Sequence, residues 1–156
     1  MKKKIFTFLL FLFLSSCGYE AIYSLKNRIN YAFSITELNL IGDRQVNLKI
    51  KQMLNPYSNP KIEENRFFAL KISSNSEKIT TANNASGDAT KFKNEITVKV
   101  KVSLNGEPKS NFEIKENFIY DNNSNTFELK TYENQIKTNL AEAVVDKLLF
   151  KLANNL

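Results

Sequence analysis

Ile96-Thr97-Val98-Lys99-Val100-Lys101-Val102-Ser103-Leu104 alternates apolar and polar residues without a break. A period of two puts Ile96, Val98, Val100, Val102 and Leu104 on one face of a strand. Thr97, Lys99, Lys101 and Ser103 fall on the other. One face is built for burial and the other for water, so the strand belongs to a sheet covered on a single side.

Turn chemistry brackets it. Asn105-Gly106 is a hairpin signal, with a loop expected to lengthen through Glu107–Ser110. Beyond it Phe112, Ile114, Phe118 and Tyr120 keep one phase, interrupted by Glu116. Upstream, Asn83–Asp88 is a turn cluster. Before that Phe68, Leu70 and Ile72 share a face near Arg66–Ser74, with pairing able to continue through Lys78–Thr81. An earlier strand spans Phe33–Ile41, and its phase slips between Ile35 and Leu38, which predicts a bulge.

Two helices complete the pattern. Asp43 is placed to cap the first, and Val46, Ile50, Met53 and Leu54 form its stripe. Asn55-Pro56 should stop it. In the second, Leu129, Tyr132, Ile136, Leu140, Ala143, Val144, Leu148 and Leu152 step by three or four. Val145, Leu149 and Phe150 widen that stripe, either as a broad core face or as a second contact with a partner. The expectation is an α+β fold, strand-helix-strand-strand-strand-helix, with a mixed four-stranded sheet and both helices on one face. The opening strand–helix–strand predicts a parallel pair.

The chain of 156 residues begins differently. Lys2, Lys3 and Lys4 precede the apolar run Ile5–Leu14, which is too short to cross a bilayer and suits a signal peptide. It ends in Leu14-Ser15-Ser16-Cys17, similar to the lipobox of bacterial lipoproteins. That resemblance implies a signal at 1–16, acylation of Cys17, a lipidated tether at 17–32 and one domain at 33–156. Several buried acyl chains give durable membrane attachment. Gly18, where an Asp would favour inner-membrane retention in proteobacterial lipoproteins, favours the outer membrane.

Composition excludes much else. Losing residues 1–16 removes three lysines and no acid, so the formal charge of +6 falls to +3. That is small for a protein built to grip nucleic acid, and no nucleic-acid partner is expected. There is no His and only one Cys, which removes the commonest general base and metal ligand and any intrachain disulfide. The four glycines form no phosphate-cradling loop, and no nucleophile motif is present. No cofactor, metal or catalytic residue is expected, and the chain is not expected to be an enzyme.

The water-facing side of the sheet should carry Lys71, Lys99, Lys101 and Lys115 beside Thr97, Ser103, Glu113 and Asn117. Lys91 and Lys93 extend that strip. It is either an ordinary solvated face moderated by its acids or a surface for anionic groups.

Several short motifs then resemble one family. Cys17-Gly18-Tyr19 resembles its Cys-Gly-aromatic start, and Asp43-Arg44-Gln45 with Leu48 and Met53-Leu54 resembles the opening of its first helix. Ala89-Thr90-Lys91 resembles the stretch before its third strand, and Phe118-Ile119-Tyr120-Asp121-Asn122 the corner before its last helix. The family is that of the lipopolysaccharide-assembly lipoproteins, LptE, in its alphaproteobacterial form. The resemblance implies an outer-membrane lipoprotein facing the periplasm and the lumen of a β-barrel partner, LptD. In that family the protein plugs the barrel, supports its assembly and helps deliver lipopolysaccharide to the outer leaflet. It implies lipopolysaccharide contact at Lys91, Lys93 and Lys130. Lys91 stands where Arg is commoner in the family, a point charge in place of a bidentate fork. The alternative is a free-standing lipoprotein that binds a ligand or peptide on its sheet.

Overall fold

The computed structural model describes residues 33–59 and 65–154; the expectations for 1–32, Cys17 included, lie outside the described residues. Strand β1 (Ser34–Gly42) leads into helix α1 (Arg44–Leu54), and a 3-10 turn at Asn55–Tyr57 follows. Strands β2 (Phe67–Asn83), β3 (Ala89–Leu104) and β4 (Glu107–Asp121) come next, and helix α2 (Thr126–Asn154) follows them. The sheet order is β1-β2-β3-β4, with β1 parallel to β2 and the other pairs antiparallel. This is the expected mixed four-stranded sheet with two helices.

The alternation in β3 sets the layers. Ile96, Val98, Val100 and Val102 are buried, together with Phe68, Leu70 and Ile72 of β2 and Ile114 of β4. The helices cover this inner face with Val46, Ile50 and Leu54 from α1 and Ile136, Leu140, Val144, Leu148 and Leu152 from α2. Ala141, Val145 and Leu149 add a second buried line on α2, so the broad stripe is core there. Phe150 is not, at 60% exposure. Leu129 is half-buried and Tyr132 exposed, so the stripe loses its cover in the first turns of α2.

The bulge in β1 falls between Ile35 and Glu37. Gly42 then passes hard against β2. Its φ is +107°, and an added Cβ would lie 1.9 Å from the Ser74 carbonyl oxygen. Only glycine fits both constraints. Asp43 follows as the N-cap, accepting the Val46 amide at 3.0 Å. The Ser76 hydroxyl and the Lys137 ammonium both donate to its other oxygen. Its carboxylate therefore joins α1, β2 and α2 at one point.

One stretch departs from expectation, and one continues as the sequence allowed. The β3–β4 loop is only Asn105-Gly106, with φ of 51° and 89°, both positive as a tight hairpin requires. β4 resumes at Glu107 and absorbs Lys109 as a bulge, which tolerates Pro108 on an edge strand. The polar run Ser73–Lys78 stays within β2, because ladder bonds to β3 need backbone groups and not apolar side chains.

The far end is tied by Arg66. Its guanidinium donates to the Leu152 and Ala153 carbonyls at 2.6 and 3.2 Å, supplying positive charge where the α2 dipole is negative. At the other end of α2, Asn125 Oδ1 accepts the Phe127 and Glu128 amides as an N-cap.

Candidate functional site

Odd-numbered residues of β2, β3 and β4 point away from the helices, and register places them in rows. Lys71 sits directly opposite Lys101, Lys99 opposite Glu113, and Lys91 opposite Asp121. Ion pairs moderate most of the strip. Lys91 lies 2.8 Å from Asp121, Lys93 2.9 Å from Glu95, and Lys115 3.1 Å from Glu113. Lys99 reaches Glu113 only at 4.0 Å. Among the described residues, Lys71 and Lys101 have no acidic partner. The Lys93 hydrogen bond, followed by its charge, holds the Glu95 carboxyl below its ordinary pKa. The Glu113 hydrogen bond, followed by its charge, raises that of Lys115. Exposed pairs of this kind contribute little to stability. These lysines can therefore exchange an internal carboxylate for an external anion at small cost.

Lys91 and Lys93 stand two residues apart on this outer face. Lys130 does not join them. It is exposed on the first turns of α2, beside Phe127, and α2 lies over the inner face. The sheet separates the two parts of the expected lipopolysaccharide contact.

A cluster not anticipated from the sequence fixes the start of α2. Glu133 Oε1 receives Lys78 Nζ at 2.6 Å and the Tyr120 hydroxyl at 2.8 Å. Lys78 Nζ also sits 3.7 Å from the Phe92 ring centroid, a cation–π distance. The Tyr120 ring packs against Phe92 and edge-on against Tyr132. Partial burial, then the hydrogen bond and charge of Glu133, push the Tyr120 pKa up, so the phenol stays a donor. The available signal was parity: Lys78, Phe92 and Tyr120 all fall on the inner-face phase of their strands.

Several depressions open among the described residues. One of about 740 Å³ opens between the end of β4 and the start of α2, over Phe118, Ile119, Leu129 and Tyr132. One of about 730 Å³ opens at the Asn105 turn, and a charged one of about 220 Å³ lies among Lys78, Glu133 and Lys137. Among the described residues, no three His, Cys, Asp or Glu gather to hold a metal ion. None of the described helices is long and apolar enough to cross a membrane.

No protein-family model matches the chain, and no curated protein matches it. Solved structures do share this arrangement of sheet and helices. The chain is similar in fold to rare lipoprotein B. That structure, from Shewanella oneidensis, superposes with a TM-score of 0.55 at 15% identity, over 76% of this chain and 97% of its own. A minor lipoprotein from Acinetobacter baumannii gives 0.55 at 11% identity, over 80% and 92%. An uncharacterized lipoprotein B from Nitrosomonas europaea gives 0.57 at 12% identity, over 81% and 88%. At such identities the likeness concerns the fold.

Proposed function

We propose that the chain is an outer-membrane lipoprotein, anchored through Cys17, that serves as the plug of a lipopolysaccharide translocon. The observation that carries this is the shared fold. The sheet-and-helix arrangement behind the lipobox is the one seen in bacterial proteins themselves called lipoproteins. In this reading the protein sits in the lumen of an LptD-like barrel, supports assembly of that barrel and contacts lipopolysaccharide phosphates through Lys91 and Lys93, with Lys130 as a separate contact. It performs no catalysis.

Two features favour a plug over a free-standing carrier. The sheet–helix interface is occupied by side chains with no exposure at all, among them Val46, Ile50, Phe68, Leu70, Val98, Val144 and Leu148. The outer sheet face is polar and charged, which suits a water-filled barrel interior. The test is affinity purification of the native protein from detergent-solubilised outer membrane, with mass spectrometry of what accompanies it. A large β-barrel protein in equal amount is the expected result. Recovery of the lipoprotein alone would remove the plug role.

A further inference from the structure

Strand β2 outruns its neighbour. β1 pairs with it only as far as Ser74, because Gly42 and Asp43 turn the chain into α1. β2 continues to Asn83. The direction of its peptide groups follows from the bonds at its ends. Arg66 O accepts from Ser34 N and Ser74 O from Asp43 N, so even-numbered residues face the β1 side. Phe67 O accepts from Asn105 N, so odd-numbered residues face β3. The alternation holds up to the irregularity after Thr80. Ser76, Lys78 and Thr80 therefore aim their N–H and C=O groups into the lane that β1 has left.

Among the described residues no strand occupies that lane, and Glu77 to Thr81 are all exposed. No proline interrupts it. An unpaired row of this kind is a template for another strand. The opposite edge is better blunted, since β4 carries Pro108, a bulge and Lys115. The lane also has a chemical signature on its outer face. Glu77 takes a hydrogen bond from the Asn75 amide but has no ion pair among the described residues. Its lateral neighbour is another acid, Glu95, already engaged by Lys93. Two residues on, Ile79 is 36% exposed.

We propose that this lane binds an extended segment of another polypeptide, which adds as a short strand beside Ser76–Thr80. The segment presents a basic residue next to Glu77 and a β-branched apolar residue next to Ile79. The site goes beyond the plug reading and does not depend on it.

The test uses the full chain in detergent micelles and a fluorescent nine-residue peptide. Its central residue is Lys, Val stands two positions away on each side, and Thr fills the remainder, so either strand direction matches. Fluorescence anisotropy should show binding. Thr80→Pro removes an N–H that points into the lane and none that bonds to β3. It should weaken binding at least about fivefold while the unfolding midpoint holds. Glu77→Lys should disfavour the Lys-centred peptide and favour a Glu-centred one, a reversal that serves even if the proline variant folds poorly. Asn117→Pro, on the β4 edge, should leave binding unchanged. The proposal is overturned by no binding to the unmodified chain, by undiminished binding in Thr80→Pro, or by loss only in Asn117→Pro. Self-association abolished by Thr80→Pro would put a second copy in the lane and overturn it equally.

Discussion

Asp43 and Lys137 meet across 94 residues of sequence, with Asp43 Oδ2 3.0 Å from Lys137 Nζ. The same carboxylate caps α1 through its other oxygen. Asp43→Ala should cost about 1–2 kcal/mol from the cap, with some addition from the lost ion pair. Asp43→Asn keeps an acceptor for Val46 and should cost less. Denaturant unfolding of both variants beside the unmodified protein would rank them.

The pH dependence follows from the same site. Partial burial alone would raise the Asp43 pKa, but the Val46 amide, the Ser76 hydroxyl and Lys137 outweigh it and hold the group at about 2, down from 3.8. The unfolded chain thus takes up this proton at higher pH than the folded one. The stabilisation, about 2 kcal/mol, is complete above about pH 4 and is lost as pH falls through about 2. Unfolding series across that window should show the gap between the protein and Asp43→Asn closing as acid is added. A constant gap would mean that the charge of Asp43 is not coupled to folding.

Two glycine substitutions should separate crowding from backbone strain. Gly42→Ala meets both a φ of +107° and the Ser74 carbonyl, so it should cost more than about 3 kcal/mol. Gly87→Ala has a φ of +90° but open space around it, and should cost about 1–2 kcal/mol. Thermal unfolding of the pair gives the comparison, and equal costs would contradict the close approach at Gly42.

Leu140→Ala opens a gap under α2, where the leucine is 8% exposed. A loss of roughly 2–5 kcal/mol is expected in denaturant titrations. A change below about 0.5 kcal/mol would mean that this stripe does not pack against the sheet.

If the chain contacts lipopolysaccharide as proposed, Lys91→Glu should weaken that binding more than Lys91→Gln, because it adds repulsion to lost attraction and sets a second carboxylate beside Asp121. Screening acts over about 8–10 Å near physiological ionic strength, so the difference should shrink as salt is raised. Lys109→Glu makes the same charge change at the other end of the sheet. If it weakens binding equally in titrations at two ionic strengths, only net charge is at work.

Cys17→Ser should abolish incorporation of labelled palmitate and leave the precursor uncut. Normal processing of that variant would refute the lipobox assignment.

Legibility in the sequence tracked the forces involved. The inner face of β3, the Asp43 cap and the β1 bulge were readable because each is a local pattern: a period, a side-chain oxygen at the right place, a slipped phase. The tightness of the Asn105-Gly106 turn is not legible in the sequence because Pro108 and Lys109 look like loop residues, whereas an edge strand accepts both. In α2 the apolar spacing was correct, but Leu129 and Tyr132 lie beyond the fully covered part of the sheet, and extent of cover is not a local property. For the same reason nothing in the spacing of Lys91 and Lys130 revealed that the sheet stands between them. The union of Lys78, Phe92, Tyr120 and Glu133 needs the register of three strands and a helix at once.

The position of α2 in chain order bears on how the protein reaches its folded state. All four strands precede it, so during synthesis the inner face of the sheet exists before its principal cover. Phe68, Leu70, Val98 and Val100 then form a flat, dry-seeking surface, and the run Ile96–Leu104 has the alternation that also suits intermolecular stacking. The antiparallel ribbon can form early from short-range contacts, whereas the lid arrives last and closes loops that span most of the domain. The hazardous interval in the life of this chain is therefore the one before α2 docks, when a holding factor would matter most.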